Sequence, residues 1–366
     1  MRITTSKENL NTAINAVQRA INPKSIIPLY LCIKLEVKGN TAIFTGIGLD
    51  ISIECSIPVQ TEKEGCALIP SRYFGDIVRR LPDIPITLEH TDSMELSIRY
   101  DQSIFTLKTL PADDFPPIAA FSEGQSFSVP AETIIWMIRK SSFAASTDET
   151  KAIFTGLLWE INGEELSLVG TDTHRLAWAK GLAQVDNQEI STSFIIPAKT
   201  AIEISRLIQN DDCHVLFEKN TVLFSFENIR ISCQVMKGIF PNYQQVIPDR
   251  FITSLYVDNK TLRDATERIS LFSSSGDTSS SIHLEITDGT LSLYSQSDIG
   301  FGREDFLVEH EGENLTISFN SRYITDVFKV IDGDRISFEL TGQLSAGIMK
   351  EKDQNDFLYL LLPVKT

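Results

Sequence analysis

The 366 residues predict an α+β fold in which one structural unit is used three times. Three features carry that prediction. A pair of alternating strands recurs at about a third of the chain length. A second motif recurs at nearly the same spacing and opens a helix each time. Each unit offers only two helical stretches, too few to cover both faces of a parallel sheet.

The strand pairs are Ile33-Lys34-Leu35-Glu36-Val37, Leu157-Leu158-Trp159-Glu160-Ile161 and Ile282-His283-Leu284-Glu285-Ile286. Each is followed by a turn glycine, Gly39, Gly163 or Gly289, and a second alternating strand reaching Phe44, Leu168 or Leu293. The glutamates Glu36, Glu160 and Glu285 are 124 and 125 residues apart. The second motif begins at Ile69, Ile196 and Phe319, and Pro70 and Pro197 stand where a helix start tolerates a missing N–H. Phe74, Ile77, Val78 and Leu81 then fall at helical spacing, as do Ile324, Val327 and Phe328.

A further helix opens every unit. Its apolar face is Leu10, Ile14, Val17 and Ile21 in the first and Ile134, Ile135 and Ile138 in the second. Leu262, Ala265, Thr266 and Ile269 form a weaker one in the third. Proline-containing stretches, Leu110 to Gln125 and Ile239 to Asp249, read as linkers. The expected domains are 1–120, 127–248 and 249–366. The competing reading, parallel βαβ units, requires more helices and less alternation than the chain supplies.

The chain has 33 Lys and Arg against 49 Asp and Glu, a formal charge of −16, which disfavours a simple basic nucleic-acid binder. The charge is segregated. The six predicted helices carry 14 basic and 7 acidic residues, so they sum to +7 and the remainder to −23. Basic helices on an acidic body suit contacts to backbone phosphates without base reading. Five cysteines without a CxxC pair suggest neither disulfides nor a metal site. No apolar run approaches membrane length, the longest being Phe357 to Leu362. The expectation is a cytoplasmic, reduced, metal-free protein with no cofactor and no membrane partner.

Four segments carry a resemblance to a known family. They are Gly170-Thr171-Asp172-Thr173-His174-Arg175-Leu176-Ala177, Leu110-Pro111-Ala112-Asp113-Asp114-Phe115-Pro116, Gly238-Ile239-Phe240-Pro241-Asn242-Tyr243 and Tyr359-Leu360-Leu361-Leu362-Pro363-Val364-Lys365. Together they resemble the bacterial DNA polymerase III beta subunits, the sliding clamps, over the whole chain. The resemblance implies three DNA-clamp domains per chain, with antiparallel sheets outside and two helices per domain inside. A homodimer would close into a six-domain ring around duplex DNA. The implied role is a non-catalytic processivity factor that tethers the replicative polymerase, the clamp loader and other clamp-binding proteins.

The resemblance also implies sites. The partner-peptide pocket would comprise Phe154, Thr171, Thr173, His174, Arg175, Leu176, Pro241, Gln245, Val246, Leu344, Ala346, Leu360, Leu362, Pro363, Val364 and Lys365. Lys24, Arg72, Lys151 and Lys199 would face DNA, and the charge count adds Arg79, Arg139 and Arg206. Phe105 and Leu107 would lie on an edge strand that pairs with a partner subunit near Leu271 and Phe272. Two positions depart from the family: Gln245 stands where a basic residue is common, and Thr173 where Gly or Ala is. Two other function classes compete. One is a scaffold that gathers peptides without encircling DNA; the other is a hydrolase built on Asp172 and His174, which lacks a nucleophile motif.

Overall fold

The computed structural model describes residues 1–116, 118, 124–185, 190–273 and 280–364. Among these, the helices are α1 (Lys7–Gln18), α2 (Ser71–Arg80), α3 (Ala131–Ser142), α4 (Ala198–Leu207), α5 (Asn259–Ser270) and α6 (Ser321–Val327). That is two per repeat. Their starts follow from local chemistry. The Ser6 hydroxyl accepts from the Asn9 N–H, Asp258 from Thr261 and Asn320 from Arg322, each satisfying an N–H that the first turn leaves unpaired.

By its packing the chain divides into two compact units. Unit 1 holds 1–131, 184–186 and 206–235; unit 2 holds 132–183, 187–205 and 236–366. Every strand pairing described below is antiparallel and lies within one unit.

Unit 1 contains a five-stranded sheet in the order Gln60–Lys63, Arg2–Thr5, Ile86–Thr91, Glu95–Tyr100, Ser103–Lys108. It also contains a nine-stranded sheet. Four of its strands come from repeat one: Gly65–Pro70, Cys32–Lys38, Thr41–Ile47 and Ile51–Pro58. Five from repeat two continue it: Ile229–Gln234, Thr221–Phe226, Cys213–Glu218, Gln125–Val129 and Gln184–Val185. The join pairs Ile231 with Ile53.

Unit 2 repeats the plan. Four strands of repeat two, Ser191–Pro197, Gly156–Asn162, Glu165–Thr171 and Arg175–Leu182, meet five of repeat three. The five are Phe357–Leu361, Gly347–Glu351, Arg335–Leu340, Thr253–Asp258 and Glu309–Gly312, and here Tyr359 pairs with Ala177. A four-stranded sheet remains: Gly300–Leu307, Thr290–Ser297, Ser281–Thr287, Leu315–Asn320.

Strand alternation sets the cores. Leu35, Phe44 and Ile53 are fully buried under Leu10, Ile14 and Val17 of α1, and the equivalent Trp159 and Leu168 are buried in unit 2. Glycine lets the opening helices of repeats one and two cross their sheets closely. A Cβ on Gly46 would stand 2.2 Å from the Val17 carbonyl oxygen, and one on the repeat-equivalent Gly170 2.3 Å from that of Ser141. Among the described residues no helix is long and apolar enough to cross a membrane.

Candidate functional site

A cavity of about 230 Å³ opens on unit 2. It lies over an apolar cluster on the sheet face turned away from the helices, where Leu158, Val169, Leu176, Ile195, Leu358 and Leu360 meet. Leu176 pairs directly with Leu360, so the cavity floor straddles the join between repeats two and three. The segment 236–251 packs over this cluster through Met236, Phe240, Tyr243, Ile247 and Phe251. The stretch Ile239 to Asp249 within it reads as a linker in the sequence. It is instead a wall, because Phe240, Tyr243 and Ile247 within it find the sheet.

The loop Thr171 to Arg175 forms the rim. The Asp172 carboxylate accepts from the backbone N–H groups of His174 at 2.9 Å and Arg175 at 3.1 Å, and from Arg175 Nε at 3.0 Å. Thr171 Oγ1 donates to the Arg175 carbonyl at 2.6 Å. Thr173 is held at φ +83°, in the left-handed region that favours glycine and penalises a β-branched residue. That geometry is the physical reason a glycine suits this position. Arg175 is buried and spans to α6, donating to Asp326 at 2.7 Å while its guanidinium lies 4.6 Å from the Tyr323 ring. Burial alone pushes the Asp326 carboxyl up. Hydrogen bonds from Lys329 and Arg175, with their charges, outweigh it and hold the group below its ordinary value.

Asp172 and His174 form no catalytic pair. The carboxylate is engaged by backbone and Arg175, and the imidazole stacks on Tyr323 with centroids 6.4 Å apart.

Of the residues expected in the pocket, Phe154, Thr171, Thr173, His174, Arg175, Leu176, Pro241, Val246, Leu360 and Leu362 line the cavity. Gln245, Leu344, Ala346, Pro363 and Val364 do not. Gln245 is exposed on the 3₁₀ turn Tyr243–Val246. Leu344 is 71% exposed, and Ala346 packs against the cluster beneath the floor. After Leu362, whose N–H donates to the His174 carbonyl, the tail leaves the cavity and Val364 N–H donates to the Ser318 carbonyl at 2.8 Å. Lys365 lies outside the described residues. Phe240, Asn242 and Tyr243 line the cavity without having been singled out. Their motif was visible in the sequence, but its side-chain directions were not. Phe154 and Phe240 meet edge to face at 6.3 Å.

The cations divide. Lys24, Arg72 and Lys199 are exposed and have no ion-pair partner among the described residues. Arg206 is exposed on α4. Arg79 is paired with Asp76 at 2.8 Å, and Arg139 with Asp332. Lys151 reaches Thr173 Oγ1 at 3.4 Å, which sets it on the cavity rim. Lys140, counted among the helix charges, is fully buried, so the +7 of the helices overstates what solvent meets.

Phe105 is 41% exposed on Ser103–Lys108, which is the edge of the five-stranded sheet. Leu271 is 72% exposed after α5, and Phe272 lies over Gly300 and Gly302 of the four-stranded sheet's edge strand. That edge strand, with Phe301 and Leu307 exposed, was missed in the sequence because its two glycines break the apolar alternation.

The chain matches the DNA polymerase III beta subunit family in three consecutive parts: the N-terminal domain over 1–119, the central domain over 128–242 and the C-terminal domain over 244–365. The chain belongs to the beta sliding clamp family. The beta sliding clamps of Staphylococcus epidermidis and Staphylococcus aureus are 31% and 30% identical to it, over all of both chains. The Bacillus subtilis clamp structure superposes with a TM-score of 0.96 at 29% identity, over 100% of this chain and 99% of that one. A Pseudomonas aeruginosa clamp bound to griselimycin gives 0.95 at 27%, over 100% of each. As a beta sliding clamp the chain is a DNA sliding clamp and processivity factor, a non-catalytic subunit of DNA polymerase III.

Proposed function

We propose that two copies of this clamp close into a ring of six domains around duplex DNA in the cytoplasm. Its domains are 1–120, 127–248 and 249–366. The unit 2 cavity takes short linear peptides of the polymerase, the clamp loader and other replication proteins. Apolar walls from Leu176, Leu360, Leu362 and Phe154 suit leucine or phenylalanine anchors, and the Thr171 to Arg175 loop supplies polar orientation at the rim.

The strand count supports the ring. Each nine-stranded sheet is a five joined to a four at repeat-equivalent edges, and one five and one four are left with those same edges open. Exposed edges of this kind invite pairing, and closure removes them. The two existing joins share one register, Ile231 opposite Ile53 and Tyr359 opposite Ala177. Carried to the open edges through the repeat, that register sets Phe105 opposite Gly302 of the partner subunit and Leu107 opposite Gly300 of the partner subunit.

Side-chain directions agree. Phe105 and Leu107 lie opposite Ile98 and Leu96, both fully buried, and Gly302 opposite buried Ser295, so both strands turn these residues inward. Glycines on one strand leave room for Phe105 beside Phe272. The same equivalence brings Tyr73, 62% exposed, to Ile299 of the partner subunit, 73% exposed, as Tyr323 meets His174.

Lys24, Arg72, Lys151, Lys199 and Arg206, with the partly paired Arg79 and Arg139, supply the phosphate contacts. Weak contacts suffice once escape requires ring opening. The test is retention on DNA. Clamp placed by a clamp loader on nicked circular duplex should survive a high-salt wash and be lost when the circle is linearised. Equal loss from both forms rejects encirclement.

A further inference from the structure

We infer that Glu160 is a positioning residue for the peptide pocket, acting through Tyr243. The inference rests on the pocket reading above and adds a residue to it that does not touch the cavity.

The Tyr243 hydroxyl donates to Glu160 Oε2 at 2.7 Å. Tyr243 is only 8% exposed, and its ring packs on the sheet cluster while lining the cavity. Burial and the bond to Glu160 push its phenol above the ordinary value, so it stays a neutral donor. Met236 N–H donates to the Ile195 carbonyl at one end of the wall segment, and Ile252 N–H to the Leu340 carbonyl at the other. Between these anchors the Tyr243 hydroxyl ties the segment to the sheet by donating to Glu160. Pro241 and Val246, on either side of Tyr243, form the cavity wall. Where Tyr243 sits therefore decides where the wall sits.

The repeat sharpens the assignment. Glu36 and Glu285 hold the same position in the other repeats and both pair with cations. Glu36 meets Lys34 at 3.0 Å and Lys38 at 2.5 Å, and Glu285 meets Arg303 at 3.2 Å. Glu160 has a phenol instead, and that phenol belongs to a residue lining the pocket. Its neighbour Ser167, directly across the strand pair, accepts from Trp178 Nε1 at 3.2 Å, so the polar strip around Glu160 is itself ordered. An ionised acceptor binding a neutral donor in a half-buried site is stronger than a neutral pair.

The experiment measures the affinity and unfolding midpoint of the full chain, using a short fluorescent peptide with leucine and phenylalanine anchors. Glu160→Ala should weaken binding about tenfold, the worth of one charge-assisted hydrogen bond. Its unfolding midpoint should stay within a few degrees of wild type. Glu160→Gln, whose amide oxygen still accepts, should recover most of the affinity. Adding Glu160→Ala to Tyr243→Phe should cost nothing further. Wild-type affinity in Glu160→Ala, or an undiminished loss on top of Tyr243→Phe, overturns the inference and leaves the pocket standing. A wild-type chain that does not bind the peptide overturns the pocket reading and this inference with it.

Discussion

Lys140 offers the sharpest stability prediction, because its ammonium is fully buried within unit 2. It donates to the Val330 carbonyl at 2.5 Å and to Glu351, itself 4% exposed, and lies 3.3 Å from Asp332. The rings of Trp136 and Phe357 cover it at 5.6 and 5.0 Å. Lys140→Met keeps the stem's packing and removes the charge. Glu351 then stays buried with the Asp332 N–H, at 3.2 Å, as its remaining donor. Removing one partner of a buried pair costs roughly 3–5 kcal/mol, since the other charge is left uncompensated. Replacing both with Met removes that residual charge. The double variant should be less damaged than the two single losses summed, with a coupling of about 2–3 kcal/mol. All three tryptophans, Trp136, Trp159 and Trp178, belong to unit 2, so their fluorescence during denaturant unfolding reports this unit alone. A Lys140→Met loss below about 1 kcal/mol, or strict additivity in the double variant, would refute the buried pair.

Two further predictions follow from geometry already described. Asp326 is held below its ordinary value near 3.8, so it binds protons more weakly folded than unfolded. Its contribution is therefore present above that ordinary value and is lost as pH falls below it and through the lower value of the folded state. Tryptophan-detected stability should drop on acidification, and Asp326→Asn should flatten that acid limb; an unchanged profile rejects the assignment. Phe105→Arg should convert the dimer to monomer in a native mass measurement, because it sets a charge on the open sheet edge where Phe105 is 41% exposed in the single chain. A dimer that persists at micromolar concentration would place the seam elsewhere.

Much of the site was legible because chemistry and order along the chain coincide there. The run from Thr171 to Leu176 supplies its own turn, with Asp172 capping residues two and three positions on. The tail residues Leu360 and Leu362 could be read as candidates, although which faced a cavity depended on the strand beside them. Gln245 and Val246 are exposed neighbours, and of the two it is Val246 that lines the cavity. The sequence carries no signal for that difference, since both lie in one short turn.

Burial separates what local pattern can determine from what it cannot. Side-chain periods of two and near four residues are local, so the threefold repeat, its alternating strand pairs and its six helices are legible in the sequence, while the glycine-interrupted edge strand Gly300–Leu307 is not. Net charge by element was local too, but its exposure was not. Arg139 and Lys140 are adjacent on α3, and packing leaves the first at the surface on Asp332 while enclosing the second. Arg175 finds Asp326 151 residues away, and Tyr243 finds Glu160 across 83. Likewise the strands were local while their joins were not. Which four-stranded edge meets which five-stranded edge is decided by side chains brought together only when the sheets form, and that pairing creates both the cavity and the open edges where a second copy closes the ring.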